Sequence, residues 1–127
     1  MTSNDQSEME ESSKALWDKD YLLTQVGGNA SLVIQLLEIF LADTPNQISG
    51  IVEASEQSDT DKISSLAHGL KGAALNLGIN SFAATSKKIE LEAKSDNIEN
   101  IKKQLHHLEL AFEQVRPILE NYKKNQE

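Results

Sequence analysis

Apolar residues recur every three or four positions along most of the chain, which is the spacing of amphipathic helices. One such segment, from Ile63 to Leu77, has a predicted core face formed by Ile63, Leu66, Ala67, Leu70, Ala73, Ala74 and Leu77. Others predict a long helix ending near Gln57 and a helix over about 81–95. The most regular seam belongs to the predicted final helix and consists of Ile98, Ile101, Leu105, Leu108, Phe112, Val115, Leu119 and Tyr122. No strand pattern competes convincingly with these helices.

Polar caps and glycines indicate where the helices begin and end. Glycine tolerates left-handed backbone geometry, so Gly27 and Gly28 are expected to end a short first helix, and Gly78 to end the helix that starts near Ile63. Pro45 and Pro117 are expected to bend the two longest helices. The expected N-terminal caps, in chain order, are Asp18, Asn29 or Ser31, Asp59 or Thr60, Asn80 and Asn97.

Four substantial helices with short connections, each carrying one apolar face, predict an all-α fold. The expected architecture is an antiparallel up-down four-helix bundle with a short additional N-terminal helix. A chain of 127 residues is expected to form one domain. Residues 1–13 are polar, acidic and without periodicity, so they are predicted to be a disordered tail, and the bundle is assigned to residues 14–127.

Composition and charge exclude several classes of function. The absence of cysteine excludes disulfides, thiol catalysis and cysteine metal sites. The net charge of −8, without a basic stripe, argues against nucleic acid and anionic membranes as partners. No apolar run approaches the roughly 18 residues of a membrane span, and no signal-like leader precedes the bundle, so a cytoplasmic location is expected. No metal-ligand motif of helical bundles is present, and no metal site is expected.

The segment AHGLKGAALNLG, residues 67–78, brings together a nucleophile, a cation and an open approach. His68 projects from the side opposite to the apolar face of its helix and therefore faces solvent or a partner. Lys71 follows at i+3 and can offer its ammonium to an anion carried by the imidazole. Gly72 lies one turn after His68, and its missing Cβ leaves space for another molecule. This combination suggests phosphoryl chemistry. Gly69 is assigned to close helix packing.

The pattern His-x-Leu-Lys-Gly, with a further glycine six residues later, is formed by His68, Leu70, Lys71, Gly72 and Gly78. It resembles the histidine-containing phosphotransfer (HPt) domains of two-component phosphorelays, and the helix pattern of about residues 15–124 extends the resemblance. The resemblance implies that His68 accepts a phosphoryl group on Nε2 from a receiver-domain aspartate and passes it to another receiver.

The resemblance also implies how the protein would work. It would be a monomeric transfer intermediate without autokinase activity or a cofactor of its own. Its partners would be receiver domains of response regulators, of hybrid sensor kinases, or of both. The receiver would supply the magnesium ion, and the chain would supply the nucleophile His68 and the cation Lys71.

Glu90 departs from the family pattern. In the resembling family a glutamine on the neighbouring helix often hydrogen-bonds the imidazole, and Glu90 lies at about that position. A carboxylate could accept a hydrogen bond from Nδ1–H and orient Nε2 outward, but it would also repel incoming phosphate. The alternative is an ordinary surface salt bridge between Glu90 and Lys87 or Lys94.

Other residues share the predicted His68 face. Ser64, Ser65 and Leu75 lie at helical spacing from His68, and we expect Leu75 in the contact with a partner. Ser64 and Ser65 are assigned to the same partner surface, with solvation of the helix alone as the alternative. His106 and His107 are adjacent on the last helix, so their side chains diverge by about 100°, and both are interpreted as surface residues.

Two other functions were considered. A histidine autokinase fragment would need a nucleotide-binding domain, and the chain has neither a GxxxxGK[ST] loop nor the length for one. A non-catalytic binding bundle would regulate a receiver or kinase by occupancy alone. Retention of both His68 and Lys71 argues against that second alternative.

Overall fold

A computed structural model describes residues 16–126, and within this range the chain contains helices and no strand. The predicted tail over residues 1–13 lies outside the described residues, so that assignment remains a prediction. The helices are α1 (Lys19–Gln25), α2 (Ala30–Glu56), α3 (Thr60–Leu77), α4 (Asn80–Lys94) and α5 (Ile98–Gln126).

The four longer helices form a closed ring, in which α2 packs on α3, α3 on α4, α4 on α5, and α5 on α2. Only two or three residues connect each of these four helices to the next, so consecutive helices that pack together run antiparallel. The short helix α1 contacts α2 and α3. The predicted all-α, antiparallel four-helix bundle with an additional N-terminal helix is therefore confirmed.

The core is built from the predicted apolar faces. On α5 the seam is buried from Ile101 to Leu119, with Ile98 and Tyr122 partly buried at its ends. At the centre, Phe40 and Phe82 meet edge to face with ring centroids 5.6 Å apart, and Phe112 packs beside both. Such aromatic clusters combine a large buried area with favourable edge-to-face geometry.

The buried face of α3 is narrower than predicted. Its buried residues follow strict four- and three-residue steps, and Ala73, which was assigned to the core face, is exposed. A seam of this kind is typical of helices that pack nearly parallel in a bundle, because only a narrow stripe meets the neighbours. The rest of the α3 circumference is left for other contacts. The buried residues are Ile63, Ala67, Leu70, Ala74 and Leu77.

Four of the predicted N-terminal caps are present. Asp18, Asn29, Asp59 and Asn97 each accept a hydrogen bond from the backbone N–H three residues later, at 3.1–3.2 Å. The prediction for Asn80 is wrong, because Asn80 is the first residue of α4.

The position before Asn80 belongs to Ile79, which is fully buried and makes no side-chain cap bond. Here the requirement to bury an isoleucine in the two-residue connection determines where α4 begins, and a polar cap is absent.

Gly78 ends α3 as predicted. Its φ of +78° lies in the left-handed region, and Gly78 and Ile79 donate backbone hydrogen bonds to the last turn of α3. The segment before α1 docks on this turn: the Trp17 indole donates to the Leu77 carbonyl at 3.0 Å, and the Asp18 N–H donates to the Gly78 carbonyl at 2.8 Å. A Cβ at Gly78 would lie 2.8 Å from the backbone carbonyl oxygen of Asp18.

Both prolines lie inside helices that continue through them, Pro45 in α2 and Pro117 in α5. The bends expected at these positions remain predictions. Over residues 16–126, no individual helix combines the length and apolar character required to cross a membrane, and α1 and α2 meet that test only as a pair bent by 116°.

Replacing Gly78 should destabilise the fold. We expect Gly78→Ala to lower the free energy of unfolding by about 1–3 kcal/mol, because alanine is strained at positive φ, and the clash with Asp18 adds to that loss. Urea denaturation measures the change. The matched control is Gly69→Ala, which should stabilise the helix by roughly 0.5–1 kcal/mol because Gly69 is helical and exposed. Equal stability of Gly78→Ala and wild type would contradict the prediction.

Candidate functional site

The site is centred on His68, in the middle of α3. Its side chain is 68% exposed, and its Nδ1 lies 2.7 Å from Oε2 of Glu90 on α4. An ionised carboxylate can only accept hydrogen bonds, so Nδ1 carries the proton of this bond. In the neutral imidazole, Nε2 is then the nitrogen with a free lone pair. In that tautomer the exposed ring presents Nε2 as its nucleophilic nitrogen.

Glu90 is the buried partner of this histidine, with a side chain only 7% exposed. Its second oxygen, Oε1, accepts a hydrogen bond from Nζ of Lys71 at 2.7 Å. This bond lowers the pKa of the Glu90 carboxyl below its ordinary value, and the bond from His68 lowers it further, while burial opposes both. Glu90 is consequently ionised at neutral pH.

The alternative of an ordinary surface salt bridge for Glu90 accounts only for its longest ion pair, the one with Lys94. Lys94 approaches Oε2 only to 3.9 Å, and Lys87 is exposed and makes no ion pair among residues 16–126. The short contacts of Glu90 instead cross from α4 to α3. Burial of Glu90 was missed, although the sequence carries a signal for it: position 90 follows Ser86 by four residues and precedes Ala93 by three, and both are buried.

Lys71 lies close to the imidazole, as its spacing predicted, but it is already paired. Its side chain is 22% exposed and bound to the carboxylate that also holds His68. One carboxylate therefore connects both side chains, an imidazole on one oxygen and an ammonium on the other. Residue spacing along α3 does not reveal this pairing, because the carboxylate belongs to another helix.

Close packing of α3 on α4 brings these groups together. The two helices pack together, and both carry small buried residues, Ala67 and Ala74 on α3 and Ala83, Ser86 and Ala93 on α4. Small side chains allow two helix backbones to approach, so a glutamate at the edge of α4 can reach across to α3. The Ser86 hydroxyl donates to the Phe82 carbonyl within its own helix and leaves no polar atom unpaired there.

Neither glycine beside His68 is required by packing. Among the described residues, a Cβ built at Gly69 or at Gly72 would have no atom within 4 Å, apart from its two chain neighbours and the nearby backbone of its own helix. The assignment of Gly69 to close helix packing is therefore wrong. At Gly72 the open space is present as predicted, next to Lys71 and one turn after His68.

The remaining predicted residues surround His68 along α3. Ser65 is exposed and Ser64 partly buried one turn before it, and Leu75 is 49% exposed two turns after it. Leu75 is thus a large apolar side chain facing solvent on the surface of the site. His106 and His107 are exposed on α5, as expected, and have no contact with this site.

No group of three or more potential metal ligands occurs between residues 16 and 126. The one buried carboxylate of the site already accepts bonds from His68 and Lys71. The groups of the site that remain accessible to an incoming molecule are the exposed His68 imidazole, a nucleophile, and the partly exposed Lys71 ammonium, a cation.

Comparisons with known proteins agree with this geometry. Residues 35–117 match the family model of the Hpt domain. The phosphorelay intermediate protein rdeA of Dictyostelium discoideum is 25% identical over 109 residues, which cover 86% of this chain and 43% of that protein. The chain thus spans less than half the length of this curated relative.

Two solved structures share the fold. Histidine-containing phosphotransfer protein B of Pseudomonas aeruginosa PAO1 has a TM-score of 0.81 at 20% identity, covering 87% of this chain and 96% of that one. The HPT domain of a sensor hybrid histidine kinase from Shewanella has a TM-score of 0.75 at 21% identity, covering 88% and 97%. Since the family model matches more than half of the sequence, the chain belongs to the Hpt domain family.

Proposed function

We propose that this protein is a phosphorelay carrier whose His68 accepts a phosphoryl group from a receiver-domain aspartate and passes it to another receiver. The observation that carries the proposal is the exposed imidazole of an Hpt-family chain, with Nδ1 bound to a buried carboxylate and Nε2 left for attack. Membership in the family and similarity to a phosphorelay intermediate point to the same chemistry.

The transfer step uses the groups described above. The Nε2 lone pair attacks the phosphorus of the receiver's aspartyl phosphate, and the aspartate carboxylate leaves in line. The magnesium ion at this step belongs to the receiver. Catalysis of such a transfer consists mostly of positioning and charge compensation, so Glu90 would orient the ring and Lys71 would offset the charge of the phosphoryl group.

Lys71 must change partner to fulfil this role. In the resting protein its ammonium is bound to Glu90, yet its side chain remains partly exposed beside His68. A phosphoryl group on Nε2 carries roughly two negative charges and would compete with one carboxylate oxygen for the ammonium. Lysine suits such an exchange because its flexible stem presents a point charge with three rotatable donors.

The partner would dock over α3. The exposed Leu75, with Ser64 and Ser65 on the other side of His68, forms the surface expected to contact a receiver domain of a response regulator or hybrid kinase. We propose that the carrier is a cytoplasmic monomer without autokinase activity. A bundle that only occupies its partner is the competing function, and the first experiment below distinguishes the two.

Phosphorylated receiver domains should label this protein at His68 alone. We expect an acid-labile label in the wild type and complete loss of it in His68→Gln, because glutamine lacks the nucleophilic nitrogen. The control, His106→Gln, removes an exposed histidine of α5 and should leave labelling unchanged. Tight binding of receivers to the wild type, without any label, would favour the non-catalytic binding module.

Replacing Gly72 should separate folding from transfer. Because a Cβ at this position meets no protein atom, Gly72→Ala should raise the free energy of unfolding by roughly 0.5–1 kcal/mol. The same methyl group would obstruct the approach to His68 and slow transfer from a receiver roughly 10- to 100-fold. Urea denaturation and a transfer time course measure the two effects, and an unchanged transfer rate would show that the open space is not needed.

A further inference from the structure

Glu90 has a property that a glutamine at the same position would lack. Its carboxylate can only accept hydrogen bonds, whereas an amide can rotate and donate instead. Facing Nδ1 at 2.7 Å, Glu90 therefore stabilises the ring only when Nδ1 carries a proton. Burial of the carboxylate makes this preference stronger than it would be in water, since charge interactions are screened less inside a protein.

Protonation of Nδ1 matters most once the phosphoryl group is attached. A phosphohistidine that has lost this proton must expel an imidazolide anion, which is a poor leaving group. A phosphohistidine that keeps the proton expels neutral imidazole. The protonated form therefore donates its phosphoryl group far more readily, as general acid catalysis predicts for any leaving group that would otherwise depart with a negative charge.

We propose that Glu90 holds the proton on Nδ1 of His68 throughout the transfer cycle, so that the phosphorylated protein is a labile, fast-releasing donor. This inference rests on the proposed function of His68 as the phosphoacceptor. It makes Glu90 a positioning residue that acts through the ring and does not touch the phosphoryl group. A glutamine in its place would favour a longer-lived phosphohistidine.

Transfer between aspartate and His68 balances without any movement of a proton. On loading, the Nε2 lone pair forms the P–N bond, the P–O bond of the aspartyl phosphate breaks, and its electron pair stays on the aspartate carboxylate. The ring becomes a phosphoimidazolium whose Nδ1–H still donates to Glu90. On release to a receiver, the P–N bond breaks, its electron pair returns to Nε2, and the next aspartate carboxylate forms the new P–O bond. In hydrolysis, water forms that bond instead and gives up a proton to the solvent, while Nδ1 keeps its own.

The charged groups around the ring act on the Nδ1 proton in opposite directions. In the part of the chain that the structure describes, the charged groups tied to this cluster by ion pairs are Lys71 on α3 and Glu90 and Lys94 on α4. The two ammonium groups oppose a proton on Nδ1, but Lys94 lies 3.9 Å from Glu90 and is largely exposed. If Lys71 turns to the phosphoryl group, Glu90 is left with Nδ1–H as its principal short partner, which strengthens the bond when it is needed.

The test measures how fast phosphohistidine decays as a function of pH. His68 is phosphorylated with phosphoramidate, a small phosphoryl donor that requires no receiver, and phosphate release is followed after the donor has been removed. We expect the decay of the wild type to slow with rising pH at a midpoint about one unit or more above that of Glu90→Gln. For midpoints one unit apart, the wild type should lose phosphate about threefold faster halfway between them and about tenfold faster at a pH above both.

The control for the loss of a charge is Glu109→Gln, which neutralises an exposed glutamate on α5, outside the site, and should reproduce the wild-type profile. A second measurement needs no variant: the ¹⁵N shift of Nδ1 in the phosphorylated wild type should report a protonated nitrogen at pH 8. Coincident decay profiles for wild type and Glu90→Gln, or an unprotonated Nδ1 at that pH, would overturn the inference.

The two proposals fail in different ways. If the chemically loaded protein decays as expected but exchanges no phosphoryl group with any receiver, the role of Glu90 stands and the carrier function is wrong. If receivers transfer phosphoryl groups to and from His68 but the pH profile of decay is the same in wild type and Glu90→Gln, the carrier function stands and the proposed role of Glu90 is wrong.

Discussion

A charged carboxylate can remain buried only where hydrogen-bond donors surround it, and this constraint organises the candidate site. Glu90 meets it with donors from the neighbouring helix, the imidazole of His68 and the ammonium of Lys71, each at 2.7 Å. Both donors are thereby fixed relative to α4. The hydrogen bond that pairs the buried charge therefore fixes the orientation of His68, whose side chain is otherwise exposed.

The position of Glu90 depends in turn on how α4 is attached to α3. Gly78 ends α3 in the left-handed conformation, and Ile79 is buried directly afterwards, so α4 starts after a connection of two residues. Trp17 and Asp18 bind the carbonyls of this turn and tie the start of the described chain to it. A short, bound connection leaves little freedom for α4 to slide along α3, and so the register between Glu90 and His68 is fixed.

Much of the fold was predictable because it depends on repeated local patterns. The α5 seam, four of the caps and the glycine stop at Gly78 each follow from residue spacing or backbone geometry, and all are present. The failures occurred where tertiary packing overrode a local preference. Asn80 is a good cap by composition, yet burial of Ile79 set the start of α4, and Ala73 is exposed because bundle packing uses only a narrow stripe.

The candidate site was predictable only in part, for the same reason. Spacing within one helix placed His68, Lys71 and Gly72 together, since i+3 and i+4 neighbours share a helix face. The pairing of Lys71 with Glu90 involves two helices and depends on their distance and register, which spacing within either helix does not contain. Glu90 therefore appeared to be one of several charged residues on α4, although it lies between buried positions.

The division of α3 into two sides explains how one helix can serve both stability and chemistry. Its narrow seam of small and branched residues contributes to the core, whereas on the other side a Cβ added at Gly69 or Gly72 would meet no atom outside its own helix neighbourhood. Each of these glycines costs the helix roughly 1 kcal/mol relative to alanine. Burial of the seam must offset that loss of helix stability. The glycines in turn leave the surface beside His68 open. Because no packing contact requires a glycine at position 72, its open surface is consistent with the approach of a partner proposed above.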